Sequence, residues 1–295
     1  MNVRIAAAQY RIGAPDDFEA FASRLGACVA NAAASGAQIV VLPEYVALEA
    51  AAGLPQDVRA DFVRSLASLQ ACHDDYVSLV RALAIRHAIY LVAGSFLLDI
   101  GGGRYRNRSY FLSSEGRLSF QDKLTLTGFE RAAAVIDAGD TLKVFDTAFG
   151  RVAINVCYDV EFPLYARAQV EAGARLLLVP SCTDTAAGAN RVRIGCQARA
   201  LENQVFVACA VTAGVAAWSP ALDLNTGCAA IYSPIDRGFP PDGVVARAEG
   251  AEEWALADLD LASLDAFKRD ARAANAGDWH AQARPSIARV RIEAL

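Results

Sequence analysis

Histidine is scarce in this chain, with three in 295 residues: His73, His87 and His280. The first two fall in segments of helical spacing and the third in a polar stretch, so none stands at a strand end where a nucleophile would need its base. Basic residues are not in excess. Lys and Arg number 28 against 33 Asp and Glu, a net charge of -5, which offers no basic face to nucleic acid or to an anionic membrane. No apolar run approaches the ~20 residues of a membrane span, and MNVRIAAAQY lacks the apolar core of a secretory signal. The seven cysteines, at 28, 72, 157, 182, 196, 209 and 228, are odd in number and show no Cys-x-x-Cys spacing. That pattern suggests neither a disulfide framework nor a zinc knuckle, and a reducing cytoplasm is the expected home. GGGR at 101–104 lacks a following GK[ST], so it reads as a turn between antiparallel strands and not as a phosphate loop. No linker, repeat or low-complexity segment divides the chain, and one domain over 1–295 with a polar tail from about 272 is expected.

What the chain has is apolar material in alternating periods. Hydrophobic residues make up 54% and charged residues 21%, ample for a sizeable core. VRIAAAQY (3–10) reads as a strand, and residues 16–35 carry Phe18, Phe21, Leu25, Cys28 and Val29 at helical spacing, capped by Asp16 or Asp17 and stopped by Gly36. IVVLPEY (39–45) and ARLLLVPS (174–181) are continuous apolar runs, as in strands buried on both faces. Helical regions at about 57–70 and 74–87 precede a strand at 89–96. Hairpins are expected at 107–123 and at TLKVFDT–RVAINVC, then a helix at 190–203 and strands at 204–211, 227–232, 243–247 and 254–261. LDAFKRDARAA reads as a terminal helix.

Three of these strands end on a chemically useful group: Glu44, Lys123 and Cys157. In RVAINVCYDVEFP (151–163) a β-branched run stops at the cysteine, and Pro163 suits the first turn of the helix that follows. A thiol at such a corner sits at the carboxyl edge of a sheet, where it can be exposed, with backbone N–H groups near enough to favour a thiolate or an oxyanion. A buried structural cysteine fits the same residues. In open α/β sheets, groups at different strand ends converge. A partly buried carboxylate can then serve as base where histidine is missing, and an ammonium can stabilise negative charge.

LPEY around Glu44, KLTLTGFE from Lys123 and NVCYD around Cys157, taken in that order, resemble the three signatures of the nitrilase superfamily of carbon-nitrogen hydrolases. VRIAAAQ at the start and QARALENQVFV (197–207) extend the resemblance over nearly the whole chain. It implies a four-layer αββα sandwich that assembles as a homodimer or higher homo-oligomer. It implies Glu44 as general base and acid, Lys123 as electrostatic stabiliser and Cys157 as nucleophile. It further implies Glu130 as a second, substrate-positioning glutamate and the backbone N–H of Tyr158 as an oxyanion donor. Cys182, just past a strand, is a candidate for the pocket wall or a structural thiol. Trp218 is read either as a wall of the substrate cleft or as a packing residue and is not counted as a site residue, and Arg199, Glu202 and Asn203 are read as ties between helix and core. No metal or cofactor is expected.

The departures from the family pattern bear on substrate. Thr125 stands where many relatives have histidine, and Tyr158-Asp159 follows the cysteine where nitrile-hydrolysing members usually have Trp-Glu. The Asn-Asp often seen there in carbamoyl-amide hydrolases is also absent. The expected reaction is therefore hydrolysis of a small amide through a thioester, releasing ammonia or an amine. Nitrile or carbamoyl-amide hydrolysis and acyl transfer to an amine are the alternatives, and an inactive scaffold ranks below them because all three triad residues are present. Substrate choice is assigned to residues 183–192 and 212–226.

Overall fold

The computed structural model describes residues 2–285, 287 and 289–294. Its first sheet is drawn from β1 (Asn2–Arg11), β2 (Ile39–Leu42), β3 (Tyr90–Gly101), β4 (Arg104–Leu112), β5 (Leu118–Asp122) and the two-residue β6 (Ile136–Asp137). The second is drawn from β7 (Val144–Thr147), β8 (Gly150–Ile154), β9 (Leu176–Ser181), β10 (Phe206–Val215), β11 (Leu224–Asn225), β12 (Ala230–Tyr232) and β13 (Val244–Arg247). The last strand, β14 (Trp254–Asp260), returns to the first sheet. The first sheet is ordered β5-β4-β3-β2-β1-β14, with β1, β2 and β3 parallel and the outer strands antiparallel to their neighbours. The second is ordered β7-β8-β9-β10-β12-β13, with β8, β9 and β10 parallel.

One strand belongs to both sheets. Residues 2–8 of β1 pair with β14, and Gln9, Tyr10 and Arg11 then pair with Val211, Thr212 and Ala213 of β10. The sheets face each other, β2 and β3 lying against β9 and β10. Helices Phe18–Ala34 and His73–His87 pack outside the first sheet and Ala186–Asn203 outside the second, which makes the four expected layers. Burial explains why β2 is apolar throughout and β9 is apolar up to its terminal Ser181: every residue of both strands is withdrawn from water.

Local signals account for most boundaries. Asp17 caps the first helix by accepting from Ala20 N–H at 2.8 Å, and Phe21, Leu25, Val29 and Ala32 form its buried stripe. Helix Ala186–Asn203 starts four residues before the expected 190, because Thr185 accepts from Gly188 N–H and caps it there. The elements beyond those expected include a 3₁₀ helix at Val46–Gly53 and a short helix at Gly128–Ala133. Among the described residues, no helix is long and apolar enough to cross a membrane.

Candidate active site

The two facing sheets bring four strand ends together. Glu44 lies two residues past β2, Lys123 directly follows β5, Cys157 lies three past β8 and Cys182 directly follows β9. The turn that carries Glu44 depends on close backbone approach. A Cβ on Gly94 would meet the Pro43 carbonyl at 2.3 Å, and the next residue, Ser95, accepts from Tyr45 N–H at 2.9 Å. Only glycine fits there, and its φ of +69° coincides with a break in the β3–β4 register.

Lys123 sits between two carboxylates, its Nζ 2.8 Å from Glu44 Oε1 and 2.7 Å from Glu130 Oε2, and all three side chains are 0–1% exposed. Glu130 is the more heavily bonded. Its Oε1 accepts from Tyr45 Oη at 2.8 Å and Asn107 Nδ2 at 3.0 Å; its Oε2 accepts from Thr127 N–H and Oγ1 at 2.9 and 3.0 Å. Glu44 accepts from Lys123 and from Asn107 Nδ2 at 2.8 Å, and from Cys182 N–H at 3.1 Å.

These surroundings separate the two acids. Burial pushes the Glu44 carboxyl above its ordinary range, because Lys123 only partly offsets the lost water and the charge of Glu130 adds to it. Burial acts on Glu130 in the same sense, but Lys123 and the hydrogen bonds from Thr127 and Asn107 outweigh it and hold Glu130 below that range. Lys123 is held well above its ordinary value, the two carboxylates overcoming the effect of burial. One carboxylate is thus fixed as an anion while its neighbour is able to take a proton, the division of labour that acid–base chemistry needs.

Cys157 opens a 3₁₀ turn, Cys157–Glu161, at a φ of +49° that a residue with a Cβ rarely adopts. Its thiol lies 3.5 Å from the Cys182 carbonyl and accepts from Ser181 Oγ at 3.3 Å. Burial, followed by the nearby Glu44 carboxylate, pushes the Cys157 thiol well above its ordinary value, against the opposing pull of Lys123 and Ser181. It therefore rests as a thiol beside the Glu44 carboxyl. The Cys182 thiol is pushed up to about 12, by burial and then by Glu44. Cys182 contributes its backbone, N–H to Glu44 and carbonyl to Cys157, while its own sulfur faces Asn225.

Asp159 joins two of these strand ends. Its carboxylate, 2% exposed, accepts from Leu124 N–H at 3.0 Å and Thr125 N–H at 2.8 Å. Burial raises it to about 7, with the Leu124 N–H and Lys123 pulling the other way.

The site opens into a cavity of about 230 Å³, whose wall includes Glu44, Lys123, Cys157, Tyr158, Cys182 and Phe129. Glu130 is bonded to Lys123, which stands on that wall. Trp218 packs against the core. Arg199 ties its helix to Val160 O at 3.2 Å and pairs with Glu202, and Asn203 bonds back to Arg199 O. Tyr45, Asn107, Asp159 and Ser181 are site residues the sequence reading passed over. Tyr45 and Asp159 were inside the quoted motifs, whereas Asn107 lies in β4 and Ser181 ends β9 with no local chemical signal. Among the described residues, no three His, Cys, Asp or Glu side chains are grouped so as to hold a metal ion.

A fold of two facing sheets with a Glu-Lys-Cys cluster at their strand ends defines a class, and comparison with known proteins gives the class its family. The model of the carbon-nitrogen hydrolase family matches residues 4–269, and the chain belongs to that family. It is 32% identical over 263 residues to the Bacillus subtilis protein named probable hydrolase YhcX, covering 89% of this chain but only 50% of that protein. It is 26% identical over 258 residues to the Danio rerio omega-amidase NIT2, covering 80% of this chain and 81% of the relative. Among solved structures, a variant of the amidase from Nesterenkonia sp. AN1 superposes with a TM-score of 0.68 at 22% identity, over 95% of each chain. In that structure the acetamide moiety of fluoroacetamide is covalently added to the active site cysteine.

Proposed function

We propose that this chain hydrolyses a small, non-peptide amide through a thioester on Cys157. The observation that carries the reading is the pairing of Lys123 with two carboxylates of opposite tendency, Glu130 held ionised and Glu44 disposed to take a proton, beside a buried thiol. The omega-amidase and amidase names among its relatives, and the cysteine adduct of the Nesterenkonia enzyme, support the same chemistry.

In the proposed sequence, Sγ of Cys157 attacks the amide carbonyl carbon as its proton passes to Glu44. Lys123 Nζ and the Tyr158 N–H stabilise the oxyanion. Protonated Glu44 then donates to the leaving nitrogen, the C–N bond breaks, and ammonia or an amine departs from a thioester. Water enters, gives its proton to Glu44 and attacks the thioester carbonyl, and the returning proton restores the thiol as the acid leaves. The deciding experiment is ammonia release from a panel of small primary amides. Turnover by the wild type that is abolished in Cys157→Ala supports the reading. Absence of release from every amide by folded protein, or full activity in Cys157→Ala, refutes it.

A further inference from the structure

Beyond the buried cluster, four charged side chains line the catalytic cavity: Glu161, Asp184, Asp223 and Arg191. Three are acidic. Glu161 ends the 3₁₀ turn that begins at Cys157, and its side chain is 19% exposed. A carboxylate that far withdrawn from water ordinarily collects hydrogen-bond donors. Among the described residues its cationic partner is Arg191, Nε 3.6 Å from its Oε1, and that guanidinium belongs to a side chain 61% exposed. The loose contact does not offset desolvation, and burial leaves the Glu161 carboxyl above its ordinary range despite Arg191. Asp184 and Asp223 stand exposed and carry the same sign. Phe129, Tyr158, Val192 and Leu224 give the cavity apolar wall.

Resting on the amide-hydrolysis reading above, we infer that the substrate carries a cationic group, an ammonium or guanidinium, at the end remote from the scissile amide, and that Glu161 is the residue that selects it. An aliphatic stem would lie along the apolar wall. The cation would supply Glu161 with short, charge-assisted hydrogen bonds, and the two exposed aspartates would favour entry of positive over negative ligands. A substrate with a remote carboxylate would meet three carboxylates and one guanidinium.

Three amides of matched length test this: 4-aminobutanamide, pentanamide and glutaramate, compared at pH 7.5 by kcat/KM. The ammonium compound should exceed the neutral one by about 10-fold or more, mainly through KM, with the carboxylate last. In Glu161→Gln the ammonium-to-neutral ratio should fall by about 10-fold. Should that variant misfold, the wild-type ratio itself should shrink between low salt and about 0.5 M salt, as a charge preference at a partly open site requires. Equal rates for the three amides, preference for glutaramate, or an unchanged ratio in folded Glu161→Gln overturns the inference while leaving amide hydrolysis standing. If none of the three is hydrolysed, the charge preference is read from alkylation of Cys157 by iodoacetamide. Butylammonium should protect at about 10-fold lower concentration than butyrate, and equal protection overturns the inference.

Discussion

Asp159 accepts the backbone N–H groups of Thr125 and Leu124, at 2.8 and 3.0 Å, and so fastens the segment after Lys123 to the turn that begins at Cys157. Lys123 and Cys157 follow strands of different sheets, and this carboxylate ties their segments together. In Asp159→Asn one N–H would face an amide NH₂ in place of an acceptor. Turnover should fall by about 10- to 100-fold with a smaller change in KM, as misplacement of reacting groups predicts. Stability should respond with a definite sign. Asp159 is raised from 3.8 to about 7 in the folded chain, so between those values the native state holds a proton that the unfolded state has released. The wild type therefore loses stability as pH rises through this window, up to about 4 kcal/mol. The stability of Asp159→Asn relative to wild type should grow from pH 4 to 7 and level off above it. Urea melts at pH 4.5 and 8 that give the same difference would contradict this account.

Lys123 is buried between two carboxylates, so its removal affects more than chemistry. Lys123→Met leaves Glu44 and Glu130 without their cation, and breaking a buried pair in this way costs roughly 3–5 kcal/mol. Turnover should drop by at least about 10²-fold. Adding Glu130→Gln to that variant removes one stranded charge and should recover part of the stability with no recovery of activity. Near-normal turnover in Lys123→Met would take the lysine out of the mechanism.

The convergence of Glu44, Lys123 and Cys157 was legible because each stands beside a strong strand signal, and three separate motifs in order constrain one another. The two sheets were legible for the same reason, since IVVL and LLLV can only be buried on both faces. Asn107 and Ser181 were not legible. Their roles arise from which strands face each other, a relation between distant segments that leaves no periodic trace in either. The helix at Gly128–Ala133 was missed because six residues carry no measurable period. Its evidence is the Thr127–Glu130 capping box, in which the same Glu130 also bonds Lys123. The 3₁₀ segment at Val46–Gly53 reads as a continuous apolar run, and Glu49 within it is buried against Tyr10, Gly13 N–H and Arg24.

Ser181 donates to the Cys157 sulfur at 3.3 Å and is 1% exposed. A donor to sulfur favours thiolate over thiol, which opposes the effect of burial. Ser181→Ala should shift the pH at which Cys157 reaches half its maximal alkylation rate upward by about one unit. It should also lower kcat several-fold. A profile identical to wild type would show that the hydroxyl contributes packing alone.

In the proposed reaction Glu44 acts twice, first on the thiol and then on water, and the two demands are separable. Burial and the charge of Glu130 hold its carboxyl above the ordinary range, so it is able to accept the thiol proton and deliver it to the leaving nitrogen. Glutamine keeps the acceptor oxygen for Lys123 and Asn107 but cannot carry a proton. In Glu44→Gln, quenched turnover of a good amide should therefore show one of two results by mass spectrometry. Either Cys157 fails to acylate, or its acyl-enzyme, heavier by the acyl group, persists far longer than in the wild type because no base activates water. Cys157→Ala should show no adduct at all, and the other six cysteines serve as controls. Cys182 is the demanding one, since it flanks the same cavity and its backbone touches both Glu44 and Cys157. With its thiol pushed up to about 12, it should stay unmodified at neutral pH, and an adduct there in place of Cys157 would reassign the nucleophile.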